Sequence, residues 1–148
     1  MITRLSPAPV IAPGEILVVA CLRDEALRLP GFLAHYRQLG VVRVLMIDNG
    51  SQDGSRDLLL AQPDVTLFHT GQSYGESRCG IDWQNDILAR HAVGHWVLVV
   101  DVDELFVFPG YEQASLRALT GYVAEQTASA VLAPMLDMYA DRPLAQTG

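Results

Sequence analysis

Four short runs of mainly apolar residues constrain the fold of this chain more than any other feature. They cover residues 15–20, 41–47, 65–69 and 96–100. A strand that is covered by helices on both faces shows this pattern, because neither side of it meets water. Such strands belong to parallel sheets, in which right-handed helical crossovers join one strand to the next. The runs therefore predict an α/β fold with three layers, α/β/α, around a mainly parallel sheet.

The segments between the apolar runs carry signals for helices. Pro30 lies near the start of the first of these segments and Gly40 at its stop, as in many helices. Helices are predicted at residues 30–40, 55–61, 77–92 and 116–123. In the third of them, Ile81, Ile87 and Leu88 are expected to face the core. The chain thus alternates strand and helix through most of its length.

The two ends of the chain are predicted separately from this alternation. Residues 1–13 contain three prolines and are expected to form a tail, whereas the apolar segment 130–136 is a candidate for a last strand. The remainder, residues 14–148, is long enough to bury a substantial core as one domain.

Charge and cysteine content exclude several classes of function. The net charge is −7 and all ten basic residues are arginine, so the surface is a poor match for nucleic acid or an anionic membrane. Cys21 and Cys79 fit no zinc-binding spacing and are too few for a disulfide framework, which favours a reducing, cytoplasmic setting. No apolar run approaches the roughly 20 residues that span a bilayer, so no transmembrane segment is predicted.

Three acidic residues lie between two apolar runs. Asp101, Asp103 and Glu104 directly follow the run that ends at Val100. Burial beside a strand penalises the charged form of a carboxylate, and Asp101 and Asp103 also repel each other because residues i and i+2 of an extended chain share a side. A divalent cation bound to phosphate oxygens would remove both penalties, so the segment predicts a metal site. The alternative is a polar loop that caps the strand.

Polar clusters follow three of the predicted strands, at residues 23–25, 48–51 and 101–104. Ligands of open α/β sheets bind at the carboxyl ends of the strands, so we expect these clusters to form one site. Asp48 occupies a strand end itself, where its carboxylate could accept hydrogen bonds from a nucleobase N–H or from ribose hydroxyls. The alternative for this turn is a tight connection in which Asp53 or Ser51 caps the next helix.

Taken together, the clusters resemble the motifs of glycosyltransferase family 2, which has the GT-A fold. The likeness is to a subgroup with an RNEA-type start, a DNGS-type turn and a DVDE-type acidic motif. These read RDEA at 23–26, DNGSQDG at 48–54 and DVDE at 101–104. The likeness extends from about residue 15 to residue 139. It implies that residues 14–148 form a GT-A-like, nucleotide-sugar-binding domain that is C-terminally incomplete.

The resemblance implies a role for several residues in holding a nucleotide-sugar donor, with a UDP-sugar expected. Asp48 would contact the base or the ribose, and the segment that contains Arg23 and Glu25 would line the nucleotide pocket. Arg78 would help to hold the nucleotide, although a solvated position at a helix start is an equal alternative for it.

The resemblance also implies a metal-dependent transfer that inverts the anomeric carbon. Asp101 would lie near the ribose and the water shell of the metal, and Asp103 would ligate Mg²⁺ or Mn²⁺ on the diphosphate. The charge on the departing diphosphate would be neutralised there. An acceptor hydroxyl, from a saccharide or a lipid-linked saccharide, would attack from the opposite face of the sugar.

The general base for that attack is not assigned. Members of the family carry it in a later, acceptor-binding half, and Asp137 comes too early to match it. A non-catalytic or truncated nucleotide-sugar-binding domain that lacks the acceptor half is therefore the alternative. A phosphatase of the haloacid-dehalogenase type would carry its Asp-x-Asp after the first strand, and a nucleotidyltransferase would carry a Gly-rich basic loop there. Residues 23–25 match neither pattern.

Overall fold

The computed structural model describes residues 1–136 and shows five strands and four helices in that range. The strands are β1 Thr3–Arg4, β2 Ile16–Leu22, β3 Arg43–Asp48, β4 Val65–His69 and β5 Trp96–Val99. The helices are α1 Leu29–Gln38, α2 Ser55–Leu60, α3 Ile81–His91 and α4 Leu116–Glu125. The predicted alternation of strands and helices is confirmed from β2 to α4. None of the helices within residues 1–136 combines the length and the hydrophobicity needed to cross a bilayer.

The strands form one sheet in the order β1-β4-β3-β2-β5. The four strands from β4 to β5 pair in parallel, and β1 pairs antiparallel with β4, so the prediction of a mainly parallel sheet is confirmed. After β2 the chain moves outward through β3 to β4, and then returns to the other side of β2 to form β5. This reversal is a topological switch point, which opens a crevice at the carboxyl ends of β2 and β5.

Both faces of the sheet are buried, which explains why its strands read as continuous apolar runs. Val18 belongs to a core that contains Phe32 of α1, whereas its neighbour Val19 belongs to a second core with Trp83 and Ile87 of α3. Each fully buried side chain of this size contributes about 1.5–3 kcal/mol to the free energy of unfolding. Helices α1 and α3 therefore cover opposite faces of the sheet.

The segment predicted as a tail, residues 1–13, contributes to the edge of the sheet. Thr3–Arg4 pairs with β4, and the Ser6 hydroxyl accepts a hydrogen bond from the backbone N–H of Leu67 at 2.9 Å. The prolines that favoured a tail all follow these residues, at position 7 and beyond. They therefore leave the backbone N–H groups of Thr3–Arg4 free to pair.

The prediction of a strand at residues 130–136 is wrong. These residues have no regular secondary structure, and the side chain of Leu132 is 95% exposed. Pro134 lies inside the run and lacks the N–H that a central strand must donate. Apolar composition alone was therefore not enough to predict that this segment pairs with the sheet. Asp137, the late carboxylate considered above, lies outside the described residues.

Helix α3 begins at Ile81 and not at residue 77 as predicted. The three residues before it, Arg78, Cys79 and Gly80, have left-handed φ angles of 53°, 57° and 84°. A right-handed helix excludes such residues, so the chain turns sharply before α3. The side chain of Ile81 is 48% exposed, which contradicts the expectation that it faces the core.

Candidate functional site

A cavity of about 350 Å³ opens at the switch point, between the carboxyl ends of β2 and β5. It is lined by Cys21, Leu22, Arg23, Glu25, Asn49, Tyr74, Asp101, Val102 and Asp103. Each of the three predicted polar clusters thus contributes to one cavity. A second cavity of about 310 Å³, which includes Gln72, Asp82 and Trp83 in its lining, contains none of the predicted site residues.

The acidic segment turns its carboxylates to the cavity and its apolar residue to the core. Asp101 and Asp103 line the cavity, whereas Val102 between them is only 4% exposed. The backbone N–H of Asp101 donates to Glu104 Oε2 at 3.1 Å, and the N–H of Glu104 donates to the Asp101 carbonyl at 3.0 Å. Partial burial, and then the charges of Glu104 and Asp103, raise the pKa of Asp101. The acidic segment therefore concentrates negative charge that no basic side chain of its own relieves.

Helix α1 anchors the chain directly after these acids. The hydroxyl of Tyr36 donates to the carbonyl of Glu104 at 3.0 Å and accepts from the backbone N–H of Phe106 at 3.1 Å. The ring nitrogen Nε2 of His35 lies 2.9 Å from the carbonyl oxygen of Phe106. Tyr36 is fully buried, so this anchor comes from the core and not from the surface.

The loop after β2 and the turn after β3 are joined by hydrogen bonds. Their donors are backbone N–H groups and their acceptors are side-chain oxygens: Asp24 to Ser51 Oγ, Glu25 to Ser55 Oγ, Ala26 to Asp53 Oδ2 and Gln52 to Asp24 Oδ1, at 2.6–2.9 Å. The alternative that Asp53 or Ser51 caps α2 holds in part: the N-cap residue is Gly54, but Oδ1 of Asp53 accepts a hydrogen bond from the backbone N–H of Ser55, the first residue of α2, at 3.0 Å. The polar residues of the turn thus fix the neighbouring loop, which borders the cavity.

Asp48 is buried and fully paired. Its Oδ1 accepts from the N–H of Ser51 at 2.8 Å, and its Oδ2 accepts from Arg56 Nη2 at 2.6 Å, with Nδ1 of His69 3.4 Å away. Burial raises the pKa of Asp48, but the hydrogen bonds from Ser51 and Arg56 outweigh it and hold that pKa below its usual value. The side chain is 0% exposed and does not line the cavity, contrary to our expectation that it is aimed at the site.

Three further residues were predicted to hold the nucleotide, and they fall in two places. Arg23 and Glu25 line the cavity, where Glu25 also pairs with Arg28 at 2.7 Å. Arg78 does not line it: the left-handed turn before α3 directs this residue to the surface, where it pairs with Asp82. The alternative of a solvated arginine at a helix start describes its position.

Sequence reasoning assigned no individual role to Asn49, a member of the cluster 48–51, and did not require Tyr74 at the site, although both line the cavity. Tyr74 lies in the loop before α3, and the close approach of this loop requires Gly80. A Cβ at Gly80 would lie 3.1 Å from the Sγ of Cys21 and 3.3 Å from the Tyr74 ring. Asn49 directly follows Asp48 at the end of β3, and this position of a side-chain amide could have indicated that Asn49 borders the site.

The donor set fits a metal that is shared with a phosphate ligand. Within residues 1–136 no three His, Cys, Asp or Glu side chains come together as a protein-only metal site. Mg²⁺ is commonly held by one or two carboxylates, with phosphates and waters completing its shell. Asp101 and Asp103 supply two carboxylates at the cavity wall, and burial and then the neighbouring charges of Glu104 and Asp103 raise the pKa of Asp101.

The chain matches no protein-family model, and no curated protein is significantly similar to it.

Proposed function

We propose that this chain is the donor-binding part of a metal-dependent glycosyltransferase with a GT-A-like fold. It would bind a nucleotide-sugar, with a UDP-sugar expected, in the cavity between β2 and β5. The observation that carries the proposal is the convergence of three polar clusters on this cavity, at the switch point where α/β sheets bind nucleotides.

The charge of the cavity supports a metal-bound diphosphate. Glu25, Asp101 and Asp103 line it, and Arg23 is the basic residue among the described lining residues. A diphosphate alone would be repelled by this wall, whereas a diphosphate that carries Mg²⁺ or Mn²⁺ would be attracted. Asp101 and Asp103 would hold that ion, and a bound ion would supply Lewis-acid stabilisation of the leaving diphosphate.

The protein groups would then orient the donor for transfer. Arg23 would neutralise part of the phosphate charge, and Tyr74 and Asn49 would border the nucleoside. Tyr36 would keep the acidic segment in place from the core. An acceptor hydroxyl that attacks opposite the diphosphate gives inversion of the anomeric carbon, and this attack requires a general base within hydrogen-bond reach. No residue is assigned to that step.

Ligand-dependent melting tests the proposal directly. The melting temperature is measured with UDP alone, Mn²⁺ alone, and both together, because a ligand of the native state stabilises it by mass action. We expect a clear rise with UDP and Mn²⁺ together, and its loss in Asp103→Asn. The matched control is Asp57→Asn, an exposed aspartate on α2 outside the cavity, which should retain the full rise.

Two outcomes would contradict the proposal: no joint effect of UDP and Mn²⁺, or an equal loss in both variants. Release of sugar from UDP-sugars, with and without saccharide acceptors, then separates a transferase from a domain that binds the donor without reaction.

A further inference from the structure

Asn49 is held at the cavity by two neighbouring strands and a loop. It follows the last residue of β3, and its backbone N–H donates to the carbonyl of Leu22, at the end of β2, at 2.9 Å. The residue is part of the cavity lining. The residue therefore sits beside the switch point with its backbone already fixed.

The amide group of Asn49 has a defined orientation. Its Nδ2 donates to two backbone carbonyls, that of Thr70 at 3.1 Å and that of Gln72 at 3.0 Å. Carbonyl oxygens only accept, so the group that faces them must be the NH₂ and not the oxygen. The 70–72 loop is itself held in place, because Thr70 is 1% exposed and its N–H donates to the carbonyl of Asp48 at 3.0 Å.

The other end of this amide is an acceptor without a donor. Both hydrogens of Nδ2 are used, and Oδ1 has no hydrogen-bond partner within residues 1–136. Every buried side-chain nitrogen or oxygen in the described part of the chain has a partner, so this oxygen must be accessible to solvent. The neighbouring carboxylate of Asp48 cannot serve instead, since Ser51 and Arg56 occupy its oxygens.

We propose that Oδ1 of Asn49 accepts a hydrogen bond from an N–H or O–H group of the nucleoside in the bound donor. The chemistry fits the imide N–H of uracil or a hydroxyl of ribose. A neutral amide accepts such a bond without adding negative charge to a cavity that Asp101 and Asp103 already make acidic. This inference rests on the proposed function, because it assumes a nucleotide in this cavity.

A comparison of three nucleotides tests it. The affinities of UDP, 2′-deoxy-UDP and N3-methyl-UDP are measured with Mn²⁺ for the wild type, Asn49→Ala and Asn49→Ser. 2′-Deoxy-UDP lacks the ribose 2′-hydroxyl and N3-methyl-UDP lacks the imide N–H. The wild type should bind one of them, the analogue that lacks the group donating to Asn49, about tenfold more weakly than UDP. Both variants should bind UDP about tenfold more weakly and should no longer discriminate against that analogue. Asn85→Ala, which removes an exposed amide on α3, should behave as the wild type does.

The discrimination ratio separates recognition from a structural role. If Asn49 only held the 70–72 loop, its loss would weaken all three nucleotides by the same factor, and this result would overturn the inference. Asn49→Ser keeps a hydroxyl that can donate to one of the two carbonyls, so it serves if Asn49→Ala fails to fold. Wild-type affinities that are equal for all three nucleotides also overturn it, while the proposed function stands. If no nucleotide binds with Mn²⁺, both fall together.

Discussion

Two regions that border the cavity differ in how their carboxylates are paired. In the paired loops after β2 and β3, each acidic group meets a donor or a cation, as when Asp48 meets Arg56 and Glu25 meets Arg28. In the acidic segment 101–104, Glu104 accepts from the backbone N–H of Asp101, but none of the three carboxylates forms an ion pair within residues 1–136, and burial and then the charges of Glu104 and Asp103 raise the pKa of Asp101.

The difference indicates which region needs a ligand. The paired loops reach their final geometry from hydrogen bonds within the chain, so they are organised before any ligand arrives. The acidic segment is held through its backbone, by Tyr36, while the charges of Glu104 and Asp103 disfavour the ionised form of Asp101. Residues that bind ligands often lower the stability of the ligand-free protein. Here the carboxylates that would do so, those of the acidic segment, lie on one side of the cavity.

The largest effect is expected where the paired region depends on one buried charge. Asp48→Asn should lower the free energy of unfolding by about 1.5–3 kcal/mol, because it removes a buried, hydrogen-bonded carboxylate charge and leaves Arg56 with a poorer partner. Chemical denaturation measures this loss. Asp57→Asn, at an exposed position, should change the same quantity by less than about 0.5 kcal/mol.

The pH dependence of that loss has a defined sign. The pKa of Asp48 is lower in the folded chain than its usual value, so its contribution is complete above the unfolded value of about 4 and disappears as the pH falls toward the folded value. The gap in melting temperature between the wild type and Asp48→Asn should therefore narrow below about pH 4. A gap that stays constant, or widens, would show that Arg56 and Ser51 do not stabilise the ionised form.

A smaller effect is expected from the anchor of the acidic segment. Tyr36→Phe keeps the buried ring but leaves the Glu104 carbonyl and the Phe106 N–H without their partner, which should cost about 1–2 kcal/mol. Tyr36→Phe should also weaken the joint binding of UDP and Mn²⁺, because the carboxylates lose their fixed position. This loss of binding should be larger than the loss of stability alone would cause. Tyr111→Phe is the matched control: this ring packs on His35, and its hydroxyl makes no hydrogen bond within residues 1–136. Equal effects of the two variants on binding would remove Tyr36 from the site.

The sequence was sufficient to predict strands β2 to β5, the helices between and after them apart from the start of α3, and the place where their loops meet. Strands β2 to β5 were predicted from continuous apolar runs, because a strand that is buried on both faces is apolar along its whole length. The meeting of residues 23–25, 48–51 and 101–104 follows because parallel strands end at one edge of the sheet. Neither inference needs the identity of the neighbouring strand.

The side-chain partners could not be predicted in this way, because they depend on strand order and local turns. Asp48 turns away from the cavity to Arg56, eight residues further on, and no local pattern announces that pair. Asn49 is oriented by carbonyls in the loop just after β4, which become its neighbours only because β4 lies beside β3. Arg78 leaves the site because of three successive left-handed residues, of which only Gly80 favours that conformation from its sequence.

The smallest expected effect has the opposite sign and bears most directly on the comparison. Asp101→Asn should raise the free energy of unfolding in metal-free solution, because it removes one of the repelling charges beside Asp103 and Glu104. The gain should stay below about 1 kcal/mol, since the segment is exposed and water screens its charges. The same variant should lose most of the joint stabilisation by UDP and Mn²⁺, so that it is more stable than the wild type without ligands and less stable with them. Melting curves under both conditions measure this crossing. If Asp101→Asn destabilises the metal-free protein, the acidic segment is already satisfied by its own chain, and the contrast with the paired loops disappears.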